Sequence, residues 1–169
     1  MKTILWATLT ANGNYAQSSS EHMPKKEALN DFAIQVKAVG NFIVGRRTFE
    51  ILQAGGGGAF ANTDIVVVSK SVKEIPGVEL VGSPQEALNN LQEKGYKTAL
   101  LAGGAALHNA FLAHRLVDEV IFDIAPVLEG KGLNLLLDQA HYQYKDVQLL
   151  DFKSLGGGVV QLHYAVGRE

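Results

Sequence analysis

Short apolar runs, polar turns and stretches with helical spacing follow one another along this chain. Ile4 to Leu9 reads as a strand, closed by an Asn12-Gly13 turn. Ser18 to Met23 reads as polar loop, and Pro24 suits the first turn of a helix. Lys25 to Val39 places Leu29, Phe32, Ala33, Val36 and Val39 at helical intervals. Phe42 to Val44 is a strand and Thr48 to Leu52 begins a helix, with Gly55 to Gly58 as a flexible break. Asp64 to Ser69 contains four consecutive β-formers, the signature of a strand buried on both faces. Val78 to Val81 is a short strand. Ser83, Pro84 and Glu86 spell a helix start, as N-cap, first residue and partner in a capping box, and Gly95 ends that helix. Thr98 to Ala102 is a strand, Ala105 to His114 a helix and Val117 to Ala125 a strand. Val147 to Lys153 and Val159 to Val166 flank three glycines as a terminal hairpin. The alternation predicts an α/β fold in three layers, with helices on both faces of a mostly parallel central sheet. The final hairpin adds antiparallel strands at one edge.

Length and composition narrow the picture. A chain of 169 residues with 47% hydrophobic and 19% charged residues is expected to form a single globular domain over 1–169. A net charge of -2 offers no footprint for nucleic acid. The absence of cysteine excludes disulfides and Cys-ligated zinc, and fits a reducing, cytoplasmic setting. No apolar run reaches membrane-spanning length, and the opening residues resemble a strand more than a signal peptide. The five histidines have no spacing that suggests a metal site. His108 and His114 read as surface or helix-end residues.

Two junctions carry candidate chemistry. In Asn41-Phe42-Ile43-Val44-Gly45-Arg46-Arg47-Thr48-Phe49-Glu50 an apolar strand stops at a glycine where a helix begins. Helix N-termini favour anions, and guanidinium forks suit phosphate oxygens. The second junction is Leu100-Leu101-Ala102-Gly103-Gly104-Ala105-Ala106-Leu107. Together they suggest a ligand with phosphates at two places, such as a dinucleotide. Each also has a plainer reading, as solvated surface and as a tight strand-helix turn. Neither a full Gly-x-Gly-x-x-Gly fingerprint nor a P-loop is present. Asp123 interrupts the apolar run Val120-Ile121-Phe122-Asp123-Ile124. It reads either as a strand-end residue hydrogen-bonded to a loop, or as a substrate-binding group or proton donor with a raised pKa.

The order and spacing of these segments resemble the dihydrofolate reductase-like superfamily. Within it, the chain is most similar to the reductase domain of bacterial riboflavin biosynthesis, the RibD C-terminal family. The resemblance runs through Thr10-Ala11-Asn12-Gly13, Val44 to Glu50, Val68-Ser69-Lys70, Ala102 to Ala105 and Val117-Asp118-Glu119. It continues in Ala125 to Gly132 and Leu155 to Val160. It implies an NADPH-dependent reductase of a small heterocycle, similar to 5-amino-6-(5-phosphoribosylamino)uracil reductase. Gly45, Arg46, Arg47 and Thr48 fall on the cofactor-phosphate motif. Ser69 and Lys70 fall near the adenosine 2′-phosphate, and Gly103 and Gly104 on a double glycine often joined by a cis peptide. Ala105 and Ala106 complete the cofactor set. The substrate is expected between the first strand, the loop from Ser18 to Pro24 and the helix near Leu29 to Phe32, with Asn12, Ser20, Phe32 and Phe49 in contact.

One departure from true dihydrofolate reductases bears on chemistry. Aligning Phe32 with the family's aromatic puts Ala28 where those enzymes carry an acid. Glu27, Asp31 and Asp123 are the remaining proton-donor candidates, although helix neighbours of Ala28 are expected to point elsewhere. Two alternatives stay open: a dihydrofolate reductase with an atypical donor, and a non-catalytic nucleotide-binding module. A homodimer is expected, from the family and from apolar edge surface at Ala125 to Leu128 and the C-terminal hairpin.

Overall fold

The computed structural model describes residues 1–15, 22–54, 60–130 and 144–167. The chain lays down β1 (Lys2–Thr10), α1 (Lys26–Val39), β2 (Asn41–Gly45), α2 (Arg46–Ala54), β3 (Asp64–Val68) and β4 (Glu79–Val81). It continues with α3 (Pro84–Glu93), β5 (Thr98–Gly103), α4 (Ala105–Ala113), β6 (Glu119–Ala125), β7 (Gln148–Gly156) and β8 (Val159–Ala165). The eight strands form one sheet in the order β4-β3-β2-β5-β1-β6-β8-β7. The first six are mutually parallel, and β8 and β7 run antiparallel to their neighbours. This is the α/β arrangement expected from the sequence.

The strand order fixes where the helices lie. From β1 the chain steps through β2 and β3 toward one edge of the sheet, then returns through β5 and β6 toward the other. Right-handed crossovers in opposite directions put their helices on opposite faces. Side chains along β1 therefore divide between two cores. Ile4 and Trp6 pack with Ala28, Phe32 and Val36 of α1 and Phe49 of α2. Leu5, Ala7 and Leu9 pack with Leu88 and Leu91 of α3 and Leu107 and Phe111 of α4.

Local chemistry sets several boundaries. Gly40 closes α1 at φ 85°, and its N–H donates to Val36 O. Ser83 Oγ caps α3 by accepting from Glu86 N–H at 3.3 Å. The capping box is not reciprocal, however: the Glu86 carboxylate accepts from Gly82 N–H at 3.0 Å rather than from Ser83. Pro24 lies ahead of the helix, because α1 begins at Lys26 after an extended Lys25. α2 begins at Arg46, two residues earlier than expected, so both arginines occupy its first turn. The terminal hairpin forms as expected, with Gly156, Gly157 and Gly158 all at positive φ, which glycine adopts without strain. β7 is the outer strand and is exposed along almost its whole length. Among the described residues no helix is long and apolar enough to cross a membrane.

Candidate functional site

The carboxyl ends of the parallel strands share one edge of the sheet. Gly45 pairs with Val68 across β2 and β3, and Val44 pairs with Gly103 across β2 and β5. The helix after β2 covers one face and the helix after β5 the other. At such a switch point the two connections diverge and leave a crevice outside the strand ends.

Glycines form its floor. The Gly103–Gly104 peptide is cis and Gly103 has φ 117°. A Cβ on Gly104 would stand 3.3 Å from Thr48 Oγ1, and one on Gly45 would stand 3.6 Å from Gly103 O. Gly45, Thr48, Gly103 and Gly104 are thus brought together. Gly104 is the N-cap of α4, where no side chain caps the helix. Among the described residues no side chain caps the first N–H groups of α4.

The basic residues follow the ends of β2 and β3. Arg46 Nη1 donates to Glu50 Oε1 at 2.9 Å, one turn along α2, while Arg47 is exposed. Ser69 follows β3 and donates its N–H to Val81 O at 2.9 Å. Its Oγ accepts from Ser71 N–H at 3.2 Å, and Lys70 beside it is exposed.

Beneath Gly103 lies a histidine that is not a surface residue. His108 is fully buried within α4, and its Cε1 is 3.5 Å from where a Gly103 Cβ would be. Its Nε2 is 3.3 Å from Leu101 O and its Nδ1 bonds Tyr15 Oη. A carbonyl oxygen only accepts, so Nε2 carries the proton and Nδ1 accepts from the Tyr15 hydroxyl. Burial lowers the His108 pKa to about 4, partly offset by the bond to Leu101. Burial also raises the Tyr15 hydroxyl well above the usual phenol range. The surface reading failed because His108 falls on the same helix face as Leu107 and Phe111, which face the sheet. His114, by contrast, does sit exposed at the end of α4, bonded to Ala110 O at 2.7 Å.

The opposite face of β1 carries an acidic cluster. Asp123 is not at a strand end. It lies within β6, opposite Thr8, and is fully buried. Nor do all neighbours of Ala28 point away: Asp31 is one helical turn from Ala28, and both are buried on the inner face of α1. The Trp6 indole Nε1–H donates to Asp31 Oδ2 and Asp123 Oδ2, each at 3.1 Å. Gln161 Nε2 donates to Asp31 Oδ2 at 2.8 Å and to Asp123 Oδ1 at 3.0 Å. Burial pushes the Asp123 carboxyl up to about 8, reinforced by hydrogen bonding to Asp31 and opposed by Gln161 and Trp6. Trp6, Gln161, Tyr15 and His108 were all missed as site residues. The available signal was Gln161, a polar break in an apolar strand like Asp123, its partner across β6 and β8.

The remaining candidates divide. Asn12 is a structural tie: its amide donates to Glu129 O at 2.9 Å, and its carbonyl accepts from Glu129 N–H at 3.1 Å and Thr10 Oγ1 at 2.7 Å. Phe32 is buried against Trp6, Phe42 and Phe60, and Phe49 is buried in the same core. Glu27 is half-buried and turned toward the hairpin, where a Cβ on Gly157 would meet its carboxylate. Ser20 and the glycine run from Gly55 to Gly58 lie outside the described residues.

Comparison with known proteins agrees with this architecture. A putative riboflavin biosynthesis protein from Shewanella sp. PV-4 superposes with a TM-score of 0.78 at 19% identity, covering 98% of this chain and 99% of that one. A diaminohydroxyphosphoribosylaminopyrimidine deaminase/5-amino-6-(5-phosphoribosylamino)uracil reductase from Thermotoga maritima gives 0.69 at 17% identity, over 98% of this chain and 56% of that one. The uncharacterized protein YyaP of Bacillus subtilis (strain 168) is 34% identical over 79 residues, 47% of this chain and 41% of that protein. At these identities the structures establish shared fold. Residues 4–161 match the RibD C-terminal domain, and the chain belongs to that family.

Proposed function

We propose that the protein is an NADPH-dependent oxidoreductase that reduces a small nitrogen heterocycle, of the kind acted on in riboflavin biosynthesis. Family membership supports a reductase-like role. The observation that carries the cofactor reading is the meeting of Gly45, Gly103 and Gly104 at the β2–β5 switch point, beside the start of α4, which no side chain caps. Gly45, Thr48, Gly103 and Gly104 let a pyrophosphate approach main-chain N–H groups. Arg46, Arg47, Ser69 and Lys70, at the ends of the adjacent strands, supply charge and donors for a 2′-phosphate. When bound, the nicotinamide supplies a hydride. The protein orients the ring over Gly103–Gly104 and keeps water from it. Phe32 and Phe49 act from the core, by shaping the wall of the cleft. The exposed outer strand β7, with Leu149 and Phe152 at its surface, supports pairing of two copies as a homodimer.

Asp31 favours a second reading. Its place on the buried face of α1 beside Ala28 and Phe32 offers an atypical donor for dihydrofolate reduction.

Titration of NADPH and NADH at fixed salt tests the first claim. Tighter NADPH binding is expected, with Arg47→Ala costing about 1.5–3 kcal/mol of NADPH affinity and scarcely touching NADH. Equal affinities would sink the assignment. NADPH oxidation with dihydrofolate, set against the phosphoribosylamino-pyrimidine, separates the two substrates. Tight NADPH binding with turnover of neither leaves a nucleotide-binding module.

A further inference from the structure

The acidic cluster joins four elements through four side chains: Trp6 of β1, Asp31 of α1, Asp123 of β6 and Gln161 of β8. Two carboxyl oxygens, Oδ2 of Asp31 and Oδ2 of Asp123, converge on one indole N–H. Ionised together in so dry a place, they would repel strongly. No cation offsets them: among the described residues neither carboxyl makes an ion pair.

The charged groups on the surrounding elements are otherwise engaged or distant. On α1, Glu27 is turned toward Gly157. On β6 and β8, Glu119 and His163 bond each other at 2.7 Å. Lys2 of β1 pairs with Glu119 at 2.8 Å. Lys153 of β7, opposite Gln161 in register, is exposed. The neutral Gln35 amide reaches Asp31 Oδ1 at 3.3 Å. A proton on one carboxyl turns a repelling oxygen into a donor toward the other, which satisfies the cluster from within.

We propose that Asp31 and Asp123 hold a single proton between them, and that this proton clasps α1 and the terminal hairpin to the sheet. Its loss leaves two buried anions, which only water entering between α1, β6 and β8 can relieve. The clasp does not depend on the reductase reading, since it involves no ligand.

The chain has one tryptophan, so the Trp6 indole N–H resonance reports on this cluster alone. Titrated from about pH 5 to about pH 10, it should show one step in the neutral-to-alkaline range. Asp123→Asn should remove that step, and Asp31→Asn serves if that variant does not fold. Amide hydrogen exchange of the unmodified protein, corrected for intrinsic rate, is then compared below and above the step. Protection of β8 and the first turns of α1 should fall about tenfold per pH unit as the step is approached from below and level off above it, and should stay lower than that of β2 and β5 throughout. A flat indole signal, or a step that persists in Asp123→Asn, overturns the shared proton. Unchanged protection of β8, or protection of β8 no lower than that of β2 and β5 at every pH, overturns the clasp.

Discussion

The two faces of β1 each cover one buried polar cluster. On the side of α3 and α4, Tyr15, His108 and the Leu101 carbonyl form a chain of donor to acceptor that is complete without any charge. On the side of α1, Trp6 and Gln161 offer neutral N–H donors to two acids. Burial disfavours the charged form in both places. For the histidine that form is protonated, and for the aspartate it is ionised, so one environment moves two groups in opposite directions along the pH axis. His108 is held neutral down to about 4, and Asp123 is held protonated up to about 8.

The hardest test of this contrast removes the shared donor. Trp6→Leu takes the indole N–H from both carboxyls and the ring from its packing on Phe32. A loss of about 3–5 kcal/mol is expected, read by urea unfolding with circular dichroism. A loss below about 1 kcal/mol would mean that the acid cluster stabilises itself without Trp6.

The pH dependence of stability follows next. The unfolded state binds a proton at His108 where the folded state does not, so stability rises with pH between about 4 and 6.5. At Asp123 the folded state keeps a proton that the unfolded state loses, so stability falls from about 3.8 to about 8. The two slopes have opposite sign and similar size up to about 6.5. The profile should be nearly level there and then decline by about 1.4 kcal/mol per pH unit until about 8. Asp123→Asn should abolish the decline and uncover the acid-side rise. His108→Gln should uncover the full decline from the acid side. If the profile keeps its shape in both variants, other groups control it.

A smaller effect separates donor from acceptor. Tyr15→Phe leaves Nδ1 of His108 buried without a donor, which should cost about 1–2 kcal/mol in chemical unfolding. A neutral result would show water in the place of the hydroxyl. The least change is expected at the rim of the acid cluster. Gln35 gives Asp31 one half-buried bond at 3.3 Å, and Gln35→Ala should cost about 0.5 kcal/mol. A cost matching that of Trp6→Leu would shift the centre of the cluster onto α1.

The same contrast shows what the sequence made legible. The strand and helix alternation, the terminal hairpin and the glycine corner could be read because each rests on local spacing or on a backbone requirement. Gly103 sits at φ 117°, a conformation that favours glycine, and the structure brings it together with Gly45 and Gly104. The acid cluster depends instead on how four elements meet. Asp123 read as a strand end because a carboxylate in an apolar run is costly alone, and its partners Asp31, Trp6 and Gln161 come from distant parts of the chain. His108 read as surface because its helix is apolar nearly all round, so spacing gave no inward direction. Asp31 is a donor candidate that the helical phase relative to Ala28 argues against, yet residues three apart share a face.

The order of strands in the sheet also governs how the chain can assemble. β1 occupies the middle of the sheet, but its two neighbours are residues 98–103 and 119–125. During synthesis at roughly 5–20 residues per second, the first strand emerges on the order of ten seconds before either neighbour exists. Its apolar residues, Ile4, Leu5, Trp6 and Leu9, spend that interval without a place in the core. Closure of the sheet has to wait for pairings between segments far apart in sequence, a topology that folds slowly and leaves strand edges open meanwhile. A nascent chain stopped before residue 98 should therefore be bound by chaperones that capture extended apolar segments, and release should follow once β6 has emerged.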